Sequence, residues 1–292
     1  MYISLILASL GIAASVYKHF DCGTNITHAS DHFLQTSKQL HQSKAKGAPG
    51  GKDRYHYKRQ SSPISVDTYF HIVTKTDPTS VSSVTQDMAT NQIQALNKAY
   101  SAYNINFNLL NTSFTANDVW AVGAATADDL AMKNALRQGT YASLNIYFQT
   151  DLSGDILGQC TLPSQITGTV PPSAYANDGC NVNANTMPGG NIDMYNEGQT
   201  AVHETGHWLG LMHVFEGNSC TGDGDLIADT PAQSTSTDGC PTSPPKDSCP
   251  DQPGVDSIHN IMDYSFDSCY QGFTDDQAQR MQTLWPMYRS GH

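Results

Sequence analysis

His203-Glu204-Thr205-Gly206-His207-Trp208-Leu209-Gly210-Leu211-Met212-His213 reads H-E-x-x-H-x-x-G-x-x-H. His203 and His207 stand four residues apart, so on a helix their rings project from one face, a turn above each other. Neutral imidazoles suit zinc, and three protein ligands leave a fourth position for water. Gly210 can adopt backbone angles closed to other residues, which ends the helix and turns the chain so that His213 can join the pair. Glu204, beside the first ligand, is placed to take a proton from water held there. A chance H-E-x-x-H is expected about four times in a thousand such sequences, and the later Gly and His lower that to about one in a hundred thousand. The stretch therefore implies a hydrolytic zinc site on a helix, rather than a surface helix with scattered histidines.

Working outward, the chain is long enough for one catalytic domain plus an attached segment, at 292 residues and 38% hydrophobic. Its net charge of −12 is unevenly spread. Residues 1–59 hold 8 Lys/Arg against 3 Asp/Glu, and residues 60–292 hold 7 against 24, so +5 precedes −17. An acidic body argues against nucleic-acid or anionic-membrane binding, which need basic surfaces. Glu occurs only three times, as Glu197, Glu204 and Glu216, so a Glu inside the motif is not background.

The apolar run at 3–14 is too short for a membrane span and fits a signal-peptide core, with cleavage expected near Ala14 or Ser15, although no Lys or Arg precedes it. Residues 15–59 are polar and read as a propeptide, with a break at Gly47-Ala48-Pro49-Gly50-Gly51 and a dibasic candidate processing site at Lys58-Arg59. Sequons begin at Asn25 and Asn111. Residues 60–292 read as the catalytic domain. Within it, strands are expected from Ile64, from Ile105 to Phe114 and from Leu144 to Thr150. Helices are expected from Thr85 to Tyr103, Ala127 to Arg137, about Gly198 to Leu209, and Thr274 to Met287. Gly217 to Phe273 has little periodicity, and so long a loop needs stapling or metal. Asp223, Asp225 and Asp229 lie there in a Gly-rich turn and could offer oxygens to calcium; the spacing is not an EF-hand, and a solvated acidic turn is the alternative.

Six of the seven cysteines, Cys160, Cys180, Cys220, Cys240, Cys249 and Cys269, fall in the catalytic region. An even set in a secreted domain implies disulfides, with fifteen possible connectivities. A second zinc site is the rival, without a C-x-x-C pair to support it. Cys22 is left over. As a thiolate it could fill the open metal position and hold a precursor inactive; an incidental thiol or an interchain bond is the alternative.

The extended motif, together with Asn260-Ile261-Met262-Asp263-Tyr264 about fifty residues downstream, resembles the metzincin clan of zinc endopeptidases. Gly222-Asp223, Asp229-Thr230-Pro231 and the cysteine pattern are similar to the pappalysin family, particularly its secreted fungal-type members. The likeness covers residue 64 to the C-terminus and the Cys22-Gly23 element, which resembles a cysteine switch. It implies an α/β (α+β) fold: an upper subdomain with a twisted mixed sheet and two long helices, and an irregular disulfide-stapled lower subdomain with a C-terminal helix. It implies one catalytic Zn2+, Met262 as the hydrophobic floor, and Tyr264 near the metal as a candidate partner of the oxyanion. It pairs Cys220 with Cys249 and Cys240 with Cys269, leaving Cys160 with Cys180. It also places an extended substrate along the sheet edge in 155–190. The pocket beyond the scissile bond would be lined near the methionine turn, where Asp267 is a candidate for favouring a basic side chain, unless it is merely a surface acid. Protein or peptide substrates, no nucleic acid, no membrane span and a monomer are expected. Three rival readings are an exopeptidase, for which nothing marks a terminus-binding site, a non-catalytic binding module, which would not need Glu204, and a toxin-like protease with one target.

Overall fold

A computed structural model describes residues 19–45, 62–123, 126–166 and 172–292. The run at 3–14, the break at 47–51 and Lys58-Arg59 lie outside the described residues, and so do the expectations placed on them.

In chain order the elements are α1 (Asp31–Ala45), β1 (Ile64–Thr74), α2 (Pro78–Ser83), α3 (Gln86–Tyr100), β2 (Ile105–Ala116), α4 (Asp118–Val122), α5 (Thr126–Leu136), β3 (Leu144–Gln149), β4 (Gly158–Cys160), α6 (Pro172–Asn177), β5 (Cys180–Asn183), α7 (Gln199–Trp208) and α8 (Asp275–Tyr288). The strands form one mixed sheet in the order β2-β1-β3-β5-β4. All pairings are parallel except β4 with β5. β1 alternates at first and is then buried on both faces, as a strand covered from both sides must be. Phe70 and Ile72 join the main core with Leu96 and Tyr100 of α3, while Val73 packs with Met132 and Tyr147 on the opposite side. Cys160 and Cys180 face each other across the antiparallel pair and are joined there.

The main core continues from α3 to α7 through Ala201, Val202 and Trp208, and the Tyr100 hydroxyl donates to the Val202 carbonyl at 2.8 Å. Every residue from Thr200 to Trp208 is buried, so α7 is enclosed all round. Between α7 and α8 the only described helical turn is a 3₁₀ segment at Asp267–Cys269. Disulfides Cys220–Cys249 and Cys240–Cys269 staple this region, in agreement with the pairing the resemblance implies. α8 starts in a capping box between Thr274 and Gln277.

The sequence pattern predicts no regular element in residues 15–59, yet residues 31–45 form α1. Their mean hydropathy is low, and the helix is held by a few apolar anchors rather than a broad stripe: Phe33 is fully buried against Met212, Leu226, Leu284 and Tyr288.

One buried charge cluster ties the halves together. The Asp178 carboxylate accepts from Arg289 at 2.7 Å, Arg137 at 3.2 Å, Trp208 Nε1 at 3.1 Å and Thr161 at 2.9 Å. Arg289, 4.0 Å from the Trp208 ring, also donates to the Trp208 carbonyl. Removing the carboxylate strands two enclosed guanidinium groups. Asp178→Ala is therefore expected to cost about 3–5 kcal/mol in chemical denaturation. A change below about 1 kcal/mol, the scale of an exposed pair, would contradict this role.

Candidate metal centre and active site

α7 carries its own N-terminus without a local side-chain cap; it starts after Gly198, at φ +87°. Asp267 supplies the missing acceptor from the far side of the loop, with Oδ2 taking the N–H of Glu197 at 2.8 Å and of Gln199 at 3.4 Å. At the other end Gly210 adopts φ +98° and donates to the His207 carbonyl, and Leu211 N–H closes on Gly206. That turn brings His213 back under the helix.

The result is a tight convergence. His207 Nε2 lies 3.1 Å from both His203 Nε2 and His213 Nε2. His203 Nδ1 donates to the Ile261 carbonyl at 2.7 Å and His207 Nδ1 to the Leu211 carbonyl at 2.8 Å. Carbonyls only accept, so each Nδ1 carries the proton and each Nε2 presents a lone pair. Burial, reinforced by the neighbouring imidazoles, holds His203 and His207 well below the ordinary histidine range. Facing lone pairs at this separation repel unless a cation lies at their focus, and backbone carbonyls are the expected outer partners of metal-bound imidazoles. Cys22 Sγ belongs to the same cluster, with the four ligand atoms all within 4.8 Å of one another. The donor set of three imidazoles and one thiol fits zinc.

Glu204 is fully buried beside this cluster. Burial pushes its carboxyl up to about 8, with hydrogen bonds from Cys22 and Thr24 pulling it back. Oε1 accepts no hydrogen bond among the described residues. Burial, followed by the Glu204 charge, raises the Cys22 thiol well above its usual value, an effect that a cation at the cluster would reverse. Met262 is buried below α7, and a Cβ on Gly206 would come within 2.5 Å of its sulfur, so the floor reaches the helix only because residue 206 has no side chain. Asp263 fastens the same turn to the stapled loop, taking Thr237 N–H at 2.9 Å and Gln233 Nε2 at 2.9 Å. The Tyr264 hydroxyl sits 3.2 Å from His213 Nε2 and accepts from Cys22 N–H at 3.2 Å.

The leader runs through this site. Leu157 N–H donates to the Asp21 carbonyl and Gly23 N–H to the Gly158 carbonyl, both at 2.8 Å, so residues 21–23 extend the sheet beyond edge strand β4 in parallel. Sequence reading missed two of its contacts. The Phe20 ring lies 5.0 Å from that of His203 and 4.8 Å from that of Tyr264. Thr24 Oγ1 accepts from Cys160 N–H at 2.8 Å and lies 3.2 Å from Glu204 Oε2. An isolated aromatic two residues before Cys22 was the only available signal.

Other expectations fare differently. Asp267 is 3% exposed, so it is not a surface acid; its Oδ1 is enclosed without a hydrogen-bond partner among the described residues, and burial pushes the carboxyl up to about 7. The calcium trio is not brought together. Asp225 is buried and accepts from Ile227 N–H and the Thr230 hydroxyl, Asp229 takes the N–H of Asp276, and Asp223 is exposed opposite Lys38. Each carboxylate answers a different part of the structure, and among the described residues no metal-capable group of side chains includes them. Cys240, His259 and Cys269 also approach one another, but the two sulfurs are bonded to each other, which removes the second-zinc alternative there.

Comparison with known proteins agrees with this geometry. The profile of the peptidase family described as pregnancy-associated plasma protein-A matches residues 125–285. An extracellular metalloprotease of Neurospora crassa is 44% identical over 283 residues, spanning 97% of this chain and 94% of the relative. One from Aspergillus oryzae is 46% identical over 257 residues, spanning 79% of each. Among solved structures, Tannerella forsythia promirolysin matches with TM-score 0.66 and 24% identity over 90% of this chain and 93% of that one. Mature mirolysin in complex with a cleaved peptide matches with TM-score 0.63 and 27% identity over 77% and 92%. The chain belongs to the pappalysin family of metallopeptidases, the family of pregnancy-associated plasma protein-A.

Proposed function

We propose that the chain is a secreted zinc endopeptidase made as a latent precursor. The observation that carries this reading is the convergence of three imidazole Nε2 atoms beside a buried carboxylate. His203, His207 and His213 would hold the ion, which supplies polarisation of the scissile carbonyl and of water. Glu204 takes the proton of the attacking water and passes it to the leaving amine, and its enclosed Oε1 suits that exchange. Tyr264 offers its hydroxyl to the oxyanion. The edge of β4, now paired with residues 21–23, is the seat of an extended substrate, which fits cleavage within a chain rather than at its ends. Secretion is supported by the extracellular naming of the relatives and by three disulfides, and no described helix is long and apolar enough to cross a membrane. Residues 1–14 are read as the signal peptide and 15–59 as the propeptide, with Cys22 as fourth ligand of the latent form. Promirolysin matches a larger share of this chain than mature mirolysin does, as a folded leader would produce.

On leader-free protein, Glu204→Ala is expected to keep its zinc while losing about 10²–10⁴-fold in kcat. Elemental analysis and peptide hydrolysis read the two effects separately, and turnover persisting in metal-replete mutant protein would contradict the role of Glu204.

Asp267 is read as the floor of the pocket for the side chain after the cut. Its enclosed Oδ1, without a hydrogen-bond partner among the described residues, favours a cationic tip. Only the ionised carboxylate attracts a cation, and burial delays its ionisation to about 7. The kcat/KM ratio for Arg over Ala at that position is therefore expected to rise as pH climbs through about 7. Asp267→Asn should flatten the profile. A ratio near one at pH 8 in the parent enzyme would overturn this assignment.

A further inference from the structure

The cleft contacts of residues 20–24 are only half of the leader's hold. We propose that the groove between α8 and the turn of the zinc motif is a docking surface for the leader helix α1, strong enough to keep the leader bound after the chain is cut between them. The proposal rests on the latent-precursor reading only for its consequence for activity, not for the docking itself.

The groove is built for this partner. Phe33 is fully buried, and it packs with Met212, Leu226, Leu284 and Tyr288, while Ile26, Ala29, Leu34 and Leu40 of the leader close over them. Gly210 makes room: a Cβ there would meet Leu284 at 2.4 Å and Phe33 at 3.3 Å. Tyr288 and Leu284 are four residues apart and share one side of α8, where Met281, a turn earlier, joins the main core. Polar contacts fix the register. The Tyr288 hydroxyl meets His32 Nδ1 at 2.8 Å and Thr36 Oγ1 at 3.2 Å, and Arg280 reaches the Ser37 carbonyl at 3.5 Å. Outside, Lys38 faces Asp223 at 3.7 Å.

The two footholds are joined by a short described connector that includes a 3₁₀ turn at Ile26–His28. When either lets go, the other keeps it close at high effective concentration. A single cut at Lys58-Arg59 would thus leave a non-covalent, latent complex. Release would need dilution or a second cut between Thr24 and Phe33.

The test uses the full chain with a site-specific protease sequence at Lys58-Arg59, in three versions: parent, Phe33→Ala and Cys22→Ala. After cutting, gel filtration over a dilution series reads leader retention, and peptide hydrolysis reads activity. The parent leader should co-elute with the catalytic domain at micromolar concentration. Phe33→Ala should weaken retention about 30-fold or more, the scale of a buried interface anchor. Cys22→Ala should retain its leader yet show partial activity, because residues 21–23 still compete with substrate for the edge of β4. Parent leader that separates on cutting, or Phe33→Ala leader retained like the parent, would overturn the proposal. So would Cys22→Ala leader lost as readily as Phe33→Ala. Cut Cys22→Ala chain that keeps its leader but stays inactive would count against the thiol switch while supporting the anchor. Because Phe33 lies in the leader, the cut catalytic domain is identical in parent and mutant. Adding synthetic 19–45 peptides, with and without Phe33, to leader-free domain checks the result without reliance on precursor folding.

Discussion

Three imidazole Nε2 atoms converging in a buried site, with His207 3.1 Å from each of the other two, constitute the constraint on which the rest of this structure depends. Two of the rings have their other nitrogen committed to a backbone carbonyl. Neither rotation nor protonation relieves the crowding cheaply: rotation would break those bonds, and a buried imidazolium would pay the desolvation cost of a charge. A divalent cation removes the conflict at once. The neighbourhood follows from holding that focus steady, with Gly206 admitting Met262 beneath the helix, Gly210 turning His213 inward, and Asp267 terminating the helix from a distant loop.

The same arrangement explains why the lower half can lack regular structure. Its loops are pinned by two disulfides, by the Asp263 carboxylate and by the Asn260–Gln277 amide pair that ties the methionine turn to α8. α8 then serves two surfaces. Met281 completes the core while Leu284 and Tyr288 receive Phe33, and Arg289 just past the helix reaches Asp178 and Trp208. The metal helix, the C-terminal helix and the leader thus share neighbours, which is why the leader can touch both the cleft and the back of the zinc turn.

Much of this was legible in the sequence where chemistry or period is local. H-E-x-x-H-x-x-G-x-x-H states its ligands and turn outright, the alternation from Ile64 marks the start of β1, and the period from Thr85 to Tyr103 delimits α3 to within three residues. The disulfides came from resemblance, since spacing alone left fifteen choices. What escaped depends on long-range contact. α1 is polar along most of its length and is decided by where Phe33 lands; Thr24 acquires meaning only when β4 brings Cys160 and Glu204 beside it. Asp178 gives no sequence signal for the two arginines it holds. In the acidic turn, proximity in sequence suggested shared ligation, while the structure shows Asp225, Asp229 and Asp223 each with partners of its own.

The most direct test of the central claim is zinc-edge X-ray absorption on the uncut full-length chain loaded with one equivalent of zinc. The account predicts three nitrogen scatterers at about 2.0–2.1 Å and one sulfur at about 2.3 Å, the distances of imidazole and thiolate ligands. A shell of nitrogen and oxygen alone would contradict the convergence of Cys22 with the three histidines on a single ion.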